Sequence, residues 1–180
     1  VKDQEKNKRL FEESLDVIKK AWTQDLFSHK GEFYTYPAPD YQWQHDMTPP
    51  DASYMDVATN TVTKVGLVPR PLQQPHPPLW QVVDSISSIE GSGHKGMNCI
   101  MWIPTIESLK PRFEAYRQAR SVHEGREVAM GEGISLVRDM FVADSMDEAR
   151  EIAAEGILTY IRWVAHWRGL SNHTNPGEVL

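Results

Sequence analysis

The chain has 180 residues, of which 40% are hydrophobic and 24% are charged. This composition is typical of a soluble globular domain with a buried core, and it excludes collagen-like, coiled-coil and wholly disordered chains. The formal net charge of −6 argues against nucleic-acid binding through the phosphate backbone. No apolar run approaches the roughly 20 residues that cross a membrane, and a single cysteine is typical of a reducing compartment, so we predict a cytoplasmic protein.

The first predicted element is an amphipathic helix over about residues 6–22. Its apolar side chains recur every three or four residues, and its charged side chains lie mostly on the opposite face. Prolines then interrupt the chain repeatedly up to about residue 56. We therefore predict an irregular loop insertion at about 35–60, either a lid or binding loop or a simple surface excursion. An edge strand is predicted over residues 61–68.

Three short apolar runs follow, at residues 79–83, 97–102 and 134–143, and helical patterns alternate with them. Thr105 is the predicted N-cap of the helix after the second run. Ser145 and Glu148 match a capping box at the start of a long helix that ends near residue 168. This alternation predicts an α/β fold with a parallel sheet. No linker divides the chain, so we predict a single domain over residues 1–180, although three parallel strands are few for this length.

Ligands bind at the carboxyl ends of parallel strands, because the following helices present positive N-termini and free amides there. Ser85, Ser87 and Ser88 follow the first apolar run, and three hydroxyls at such a turn favour a phosphate site. The alternative is that one serine caps the helix and the others face solvent. Trp102 ends the second run and is predicted to contact a planar cofactor, to close a hydrophobic pocket or to pack in the core.

The remaining chemistry-bearing residues give weaker patterns. Arg138 and Asp139 fall inside the third run, where charges are costly unless they pair or face a cavity. The seven histidines show no HxxxH or HExxH spacing, so no metal site is predicted. Cys99 lies within an apolar run and is predicted to be a buried small hydrophobic residue rather than a nucleophile.

Three blocks of the sequence form a specific series: FEESLDVIKKAWT at 11–23, FSHKGEFY at 27–34 and PRPLQQPHPPLW at 69–80. In order and spacing they resemble the bacterial luciferase-like, flavin-dependent monooxygenases, and the similarity runs over nearly the whole chain. The resemblance implies part of a (β/α)8 TIM barrel, with about strands five to seven and their helices. It therefore implies an incomplete barrel and a chain that is a fragment of a longer enzyme.

The resemblance implies an enzyme in which reduced FMN, or a related deazaflavin, lies across the carboxyl face of the barrel. Such FMN enzymes oxidise a small apolar organic substrate with O2, and a flavin reductase can supply the reduced FMN. The family pattern implies that Asp84, Ser85, Ser87 and Ser88 contribute to the flavin phosphate site and that Trp102 lies near the flavin. The family's catalytic residues lie on early strands that have no counterpart here, so the catalytic residues of this chain are unknown.

This chain departs from the family pattern at Gly91-Ser92-Gly93, where an aromatic residue and two alanines are usual. Two interior glycines predict a frayed helix, because each lowers helix stability by roughly 1 kcal/mol relative to alanine. The open edges of a partial sheet predict a homo-oligomer or another association through those edges. Two alternative functions are a non-catalytic flavin-binding or partner subunit and a deazaflavin-dependent oxidoreductase.

Overall fold

The computed structural model describes residues 3–102 and 104–169, together with residues 174 and 177. Its contacts divide the chain into two compact units, Val1–Pro77 and Pro78–Leu180. The first unit contains a helix and short hairpins, and the second contains a parallel sheet with its helices. The prediction of a single domain over residues 1–180 stays a prediction.

The first unit is built on helix α1, Gln4–Thr23, which confirms the predicted amphipathic helix. Asp3 caps it, because the Asp3 carboxylate accepts a hydrogen bond from the amide of Lys6 at 2.8 Å. Two antiparallel hairpins follow, formed by β1 with β2 and by β3 with β4. Their strands are His29–Lys30, Thr35–Tyr36, Met55–Asp56 and Thr61–Val62.

The strand predicted over residues 61–68 is much shorter in the structure and ends at Val62. The amides of Thr63 and Lys64 both donate to the carbonyl of Tyr54, at 2.8 Å and 3.1 Å, so the chain turns away from the ladder there. Beyond this turn, one isolated bridge joins Val65 to Phe27. The residues from 37 to 54 form no named strand or helix, but two short strands, Thr35–Tyr36 and Met55–Asp56, lie within the irregular loop predicted at about 35–60.

The Glu13 carboxylate joins α1 to the β1–β2 hairpin. It accepts hydrogen bonds from His29 Nε2 at 2.9 Å, from the Phe33 amide at 3.0 Å and from the Tyr34 amide at 2.8 Å. Only 12% of the Glu13 side chain is exposed. Burial by itself raises the pKa of Glu13, but these hydrogen bonds outweigh burial and hold the pKa below its ordinary value of 4.5.

Glu13→Gln is expected to reduce the acid sensitivity of the first unit. A carboxyl whose pKa is lowered by folding binds protons more readily in the unfolded chain. Its stabilising contribution is therefore present above the ordinary pKa of 4.5 and is lost as the pH falls through the lower pKa of the folded state. Urea unfolding measured from about pH 7 down to about pH 3 should show a steeper loss of stability for wild type than for Glu13→Gln.

Glu5→Gln is the matched control for this measurement, because Glu5 is an exposed carboxylate in the first turn of the same helix. It leaves the three hydrogen bonds of Glu13 in place, so the steeper loss of stability at low pH should remain. Parallel curves for wild type and Glu13→Gln would contradict the role assigned to Glu13.

The second unit contains a parallel three-stranded sheet in the order β5–β6–β7. These strands are Trp80–Val82, Asn98–Trp102 and Ile134–Val137. The helices that alternate with them are α2, α3 and α4, which span Ile86–His94, Ile106–Glu124 and Met146–Arg168. The predicted parallel α/β arrangement is confirmed. Within the described residues, the three strands form an open sheet and not a closed barrel.

The core of this unit lies between one face of the sheet and helices α2 and α3. Its members are at most 2% exposed, and they are Val83, Ile89, Cys99, Met101 and Tyr116. The complete burial of Cys99 confirms the predicted small hydrophobic residue. The Tyr116 hydroxyl donates to the carbonyl of Met97 at 3.0 Å, so its polar atom is satisfied inside the core.

Helix α2 runs through both of its interior glycines, so the prediction that it frays is wrong. A Cβ atom at Gly93 would lie 2.8 Å from the Cβ of Ala119 and 2.9 Å from the amide nitrogen of Arg120. The fully buried Ser92 donates to Gln81 Oε1 at 2.8 Å and so joins α2 to β5. Packing against α3 and β5 therefore compensates for the low helix propensity of glycine.

The strand predicted over residues 134–143 ends at Val137. Its only neighbour among the described strands, β6, ends at Trp102, which pairs with Val137, so no ladder continues beyond that point. Arg138 and Asp139 consequently lie after the strand and are exposed. The prediction that they lie inside the strand is wrong.

Two helix starts occur at the predicted residues. The Ser145 hydroxyl accepts from the amide of Glu148 at 3.1 Å, but the Glu148 carboxylate accepts from the amide of Asp144, at 3.0 Å, rather than from that of Ser145. Thr105 occupies the N-cap position of α3 but makes no capping hydrogen bond with its side chain.

In the described part of the chain, no helix combines the length and the apolar character that crossing a membrane requires.

Candidate functional site

The turn between β5 and α2 brings the predicted hydroxyl residues together. Ser85 is the N-cap of α2, and its Oγ accepts from the amide of Ser88 at 3.2 Å. The same Oγ lies 3.1 Å from the Oγ of Ser87 and 2.9 Å from the Oγ of Ser88. Asp84, Ser85 and Ser87 are exposed, and Ser88 is half-buried. One serine therefore caps the helix, and its hydroxyl also belongs to a cluster of three; we call residues 84–88 the serine turn.

Arg112 of α3 is a cationic residue at this turn that sequence reasoning missed. Its Nη1 donates to the carbonyl oxygen of Asp84 at 2.5 Å. The two residues are 28 positions apart, and nothing in the helical pattern around Arg112 distinguishes it from other surface arginines. The first turn of α2 contains no acidic residue, so the positive end of that helix and the Arg112 guanidinium both contribute positive charge at the turn.

A second feature at the carboxyl edge of the sheet is an apolar cavity of about 490 Å³. Side chains from one face of the three strands, including the last residue of each strand, form one wall, and side chains of α4 form the other. The lining residues are Val82, Ile100, Trp102, Val137, Tyr160, Trp163, Val164 and Trp167. We call this space the aromatic cavity.

Ring contacts within the aromatic cavity link the sheet to α4. The rings of Trp102 and Tyr160 meet edge to face, with centroids 5.9 Å apart and planes at 89°. Tyr160 in turn stacks on Trp163, with centroids 6.3 Å apart and planes at 24°. Trp102 therefore lies in a cavity wall, where a planar ligand can reach it, rather than in the core between sheet and helices.

The predicted site residues fall into two groups. Trp102 lines the aromatic cavity, whereas the serines of the serine turn are not among its lining residues. Val82 lines the cavity three residues before Ser85, so both groups belong to the same edge of the sheet. Sequence reasoning missed Trp163 and Trp167, although their spacing from Tyr160, at i+3 and i+7, was a readable signal for one helix face.

Metal and thiol chemistry have no support among the described residues. No group of three or more His, Cys, Asp or Glu side chains in this part of the chain is placed to hold a metal ion. Burial raises the pKa of Cys99 to about 11, so its thiol stays protonated at neutral pH.

Comparisons with known proteins match this chain to a protein family and to individual relatives. The model of the luciferase-like monooxygenase family matches residues 2–179. The chain is also 25% identical, over 173 residues, to the oxygenase component of the flavin-dependent trigonelline monooxygenase from Acinetobacter baylyi. That match covers 93% of this chain and 38% of the relative.

Two solved structures of monooxygenases share the fold. RslO1 from Streptomyces bottropensis matches with a TM-score of 0.62 and 18% identity, over 91% of this chain and 42% of that one. The oxygenating constituent of 3,6-diketocamphane monooxygenase from the CAM plasmid of Pseudomonas putida, a type II Baeyer-Villiger monooxygenase in complex with FMN, has a TM-score of 0.64 and 17% identity. It matches over 92% of this chain and 42% of that one.

The chain thus spans about two fifths of the length of these relatives. Its parallel sheet, with helices between the strands, is similar to the corresponding part of their TIM-barrel fold. The family match extends over nearly all of its residues. The chain belongs to the luciferase-like monooxygenase family.

Proposed function

We propose that this chain is part of a flavin-dependent monooxygenase that oxidises a small apolar organic substrate with O2 and reduced FMN. The observation that carries the proposal is the pairing of two features at one edge of the sheet: a hydroxyl-rich turn with an arginine, and an apolar cavity. Parallel α/β sheets bind ligands at this edge. Because the chain spans about two fifths of its relatives, the rest of the active site would come from elements outside these residues.

The hydroxyls and helix amides of the serine turn fit the phosphate of FMN in hydrogen-bonding capacity, and Asp84 contributes its backbone carbonyl, which holds Arg112. The hydroxyl of Ser85 lies within hydrogen-bonding distance of the hydroxyls of Ser87 and Ser88, so three hydroxyls are available together. In addition, the first amides of a helix have no acceptor inside the helix. Arg112 adds a positive charge, and the carbonyl of Asp84 positions its guanidinium. We therefore assign Asp84, Ser85, Ser87 and Ser88 to the cofactor site, with Arg112 as a further contact to the phosphate.

When bound, reduced flavin supplies the activation of O2. The residues of this chain bind and orient the reactants and exclude water. The apolar wall that contains Trp102 keeps water away from the substrate, because it offers few groups that hold water by hydrogen bonds. We assign Trp102 to the boundary between flavin and substrate.

We propose a separate flavin reductase as a partner that supplies reduced FMN. The relative from Acinetobacter baylyi is named as an oxygenase component, which supports a division of labour between two proteins. A second association would pair the free edges of the sheet with further strands, since β5 and β7 each pair on one side only in the described residues. Either a second copy of the chain or further strands of the barrel would complete that pairing.

The product of the whole reading frame that encodes this chain tests the proposed function. It should bind FMN and, with NADH and an added flavin reductase, consume O2 in a substrate-dependent manner, whereas the 180-residue chain alone should not. Tight FMN binding without turnover in both proteins would favour the non-catalytic flavin-binding subunit instead. A strong preference for a deazaflavin over FMN would favour the deazaflavin-dependent oxidoreductase.

In the product of the whole reading frame, Ser85→Ala should weaken FMN binding about tenfold and leave riboflavin binding nearly unchanged, because only FMN carries the phosphate. Since Ser85 also caps α2, Ser85→Asp is the matched variant. Aspartate keeps the cap but places a negative charge beside the phosphate. The binding of FMN should therefore weaken further, while riboflavin should still bind. Fluorescence titrations with the two flavins measure both affinities. Equal losses for FMN and riboflavin would overturn the assignment of the phosphate site.

A further inference from the structure

Three aromatic side chains of α4 face the aromatic cavity from the side opposite Trp102. Tyr160, Trp163 and Trp167 follow one another at intervals of three and four residues, so they share one face of the helix. Val164, which is 6% exposed, is the buried contact in this part of α4. Trp163 and Trp167 are instead 64% and 75% exposed. Most of the surface of these two tryptophans therefore lies outside the packing of the helix, and their large apolar faces are available to a ligand.

The chemistry of the cavity wall restricts the ligand. None of the lining side chains is charged, and hydrogen-bonding groups are confined to the Tyr160 hydroxyl and the indole N–H groups. Such a wall disfavours an anion, which would lose its hydration without a compensating partner. The volume of about 490 Å³ lies in the range of small-molecule sites. The edge-to-face contact of Trp102 with Tyr160 and the stacking of Tyr160 on Trp163 are geometries that aromatic rings prefer, and a flat ligand can extend them.

We propose that α4 determines the substrate specificity of the enzyme, and that Tyr160, Trp163 and Trp167 hold a flat, uncharged ring compound against Trp102. This inference rests on the proposed function, because it takes the occupant of the cavity to be the substrate of the monooxygenase. A ligand is favoured over a protein segment as the occupant because the cavity lies at the carboxyl edge of the strands. Trp163 and Trp167 are specificity-determining residues in this proposal and not catalytic residues.

Calorimetric titration of the FMN-loaded product of the whole reading frame tests the proposal with three probes. Indole is flat and uncharged, adamantanol is globular and uncharged, and benzoate is flat and anionic. Each stacked ring is expected to contribute about fivefold in affinity, so indole should bind at least about fivefold more tightly than adamantanol, and benzoate more weakly than indole. Trp163→Leu and Trp167→Leu should each reduce the ratio of indole to adamantanol affinity, whereas Trp163→Phe should keep most of it.

Trp43→Leu is the control, because Trp43 belongs to the first unit and does not line the cavity. It should leave the ratio of affinities unchanged. Equal binding of indole and adamantanol to wild type, or an unchanged ratio in Trp163→Leu, would overturn the proposal. Failure of all three probes to bind would also overturn it, and would indicate that further strands or a second copy cover this face of α4.

Two further measurements separate this inference from the proposed function. If FMN binding and reductase-coupled O2 consumption are retained but the ring preference is absent, only the role of α4 fails. If the product of the whole reading frame binds no FMN but shows the ring preference in the same titration without flavin, the proposed function fails and the ring-binding cavity stands. The exposure of Trp163 and Trp167 makes both leucine variants expected to fold, which far-ultraviolet circular dichroism checks.

Discussion

Gly93→Ala should destabilise the second unit by about 1–3 kcal/mol, whereas Gly91→Ala should stabilise it by about 0.5–1 kcal/mol. The added Cβ at Gly93 would lie 2.8 Å from the Cβ of Ala119 and 2.9 Å from the Arg120 amide nitrogen, so α2 and α3 would have to separate. The added Cβ at Gly91 would meet nothing closer than the end of the Lys95 side chain, at 3.9 Å. That variant gains the higher helix propensity of alanine without a clash.

Urea unfolding followed by far-ultraviolet circular dichroism measures both changes in the free energy of unfolding. The two variants make the same chemical change in the same helix and differ only in what the new methyl group meets. Opposite signs are therefore the expected result. Stabilisation by both substitutions would show that α2 does not pack on α3 at Gly93.

Cys99 of the folded protein should react with iodoacetamide at least about 100-fold more slowly than Cys99 of the unfolded chain, at about pH 8. The thiol is completely buried, and burial raises its pKa from an ordinary 9.0 to about 11. Both the thiolate fraction and the access of the reagent are therefore reduced. Mass spectrometry of timed samples, with and without guanidinium chloride, measures the two rates. Similar rates in both conditions would contradict the burial of this residue.

The rate of Cys99 labelling also reports on the packing of α2, because Cys99 belongs to the core that includes Ile89 of that helix. Gly93→Ala should accelerate labelling, since it weakens the α2–α3 contact that covers the core. Gly91→Ala should slow labelling or leave it unchanged. Faster labelling of Cys99 in Gly91→Ala but not in Gly93→Ala would contradict the close contact assigned to Gly93 and the open surroundings assigned to Gly91.

Helices α1 and α4 were predictable because their signals are local. Apolar side chains recur every three or four residues along each helix, and the Ser145 hydroxyl caps the start of α4. The three strands of the parallel sheet were recognisable as short apolar runs between turn residues. In each case the residues that carry the signal lie within the element that they predict.

The wrong predictions concern features that a distant partner decides. The third run extends to residue 143 and is interrupted by the charged pair Arg138 and Asp139, and its strand ends at Val137 because β6 ends at Trp102. The glycines of α2 have a low helix propensity, yet the helix continues because Gly93 permits close contact with α3. Local propensity is a weak preference, and packing or strand pairing overrides it in both cases.

The amino-acid sequence by itself determined the amphipathic helices, the alternation of strand and helix, the hydroxyl cluster after the first parallel strand, and the resemblance to a flavin-dependent family. Only the tertiary structure decided that Arg112 reaches Asp84 and that three aromatic residues of α4 face Trp102 across a cavity. The physical reason is that periodicity and capping report on neighbours along the chain, whereas a site is made by contacts between residues that only packing brings together.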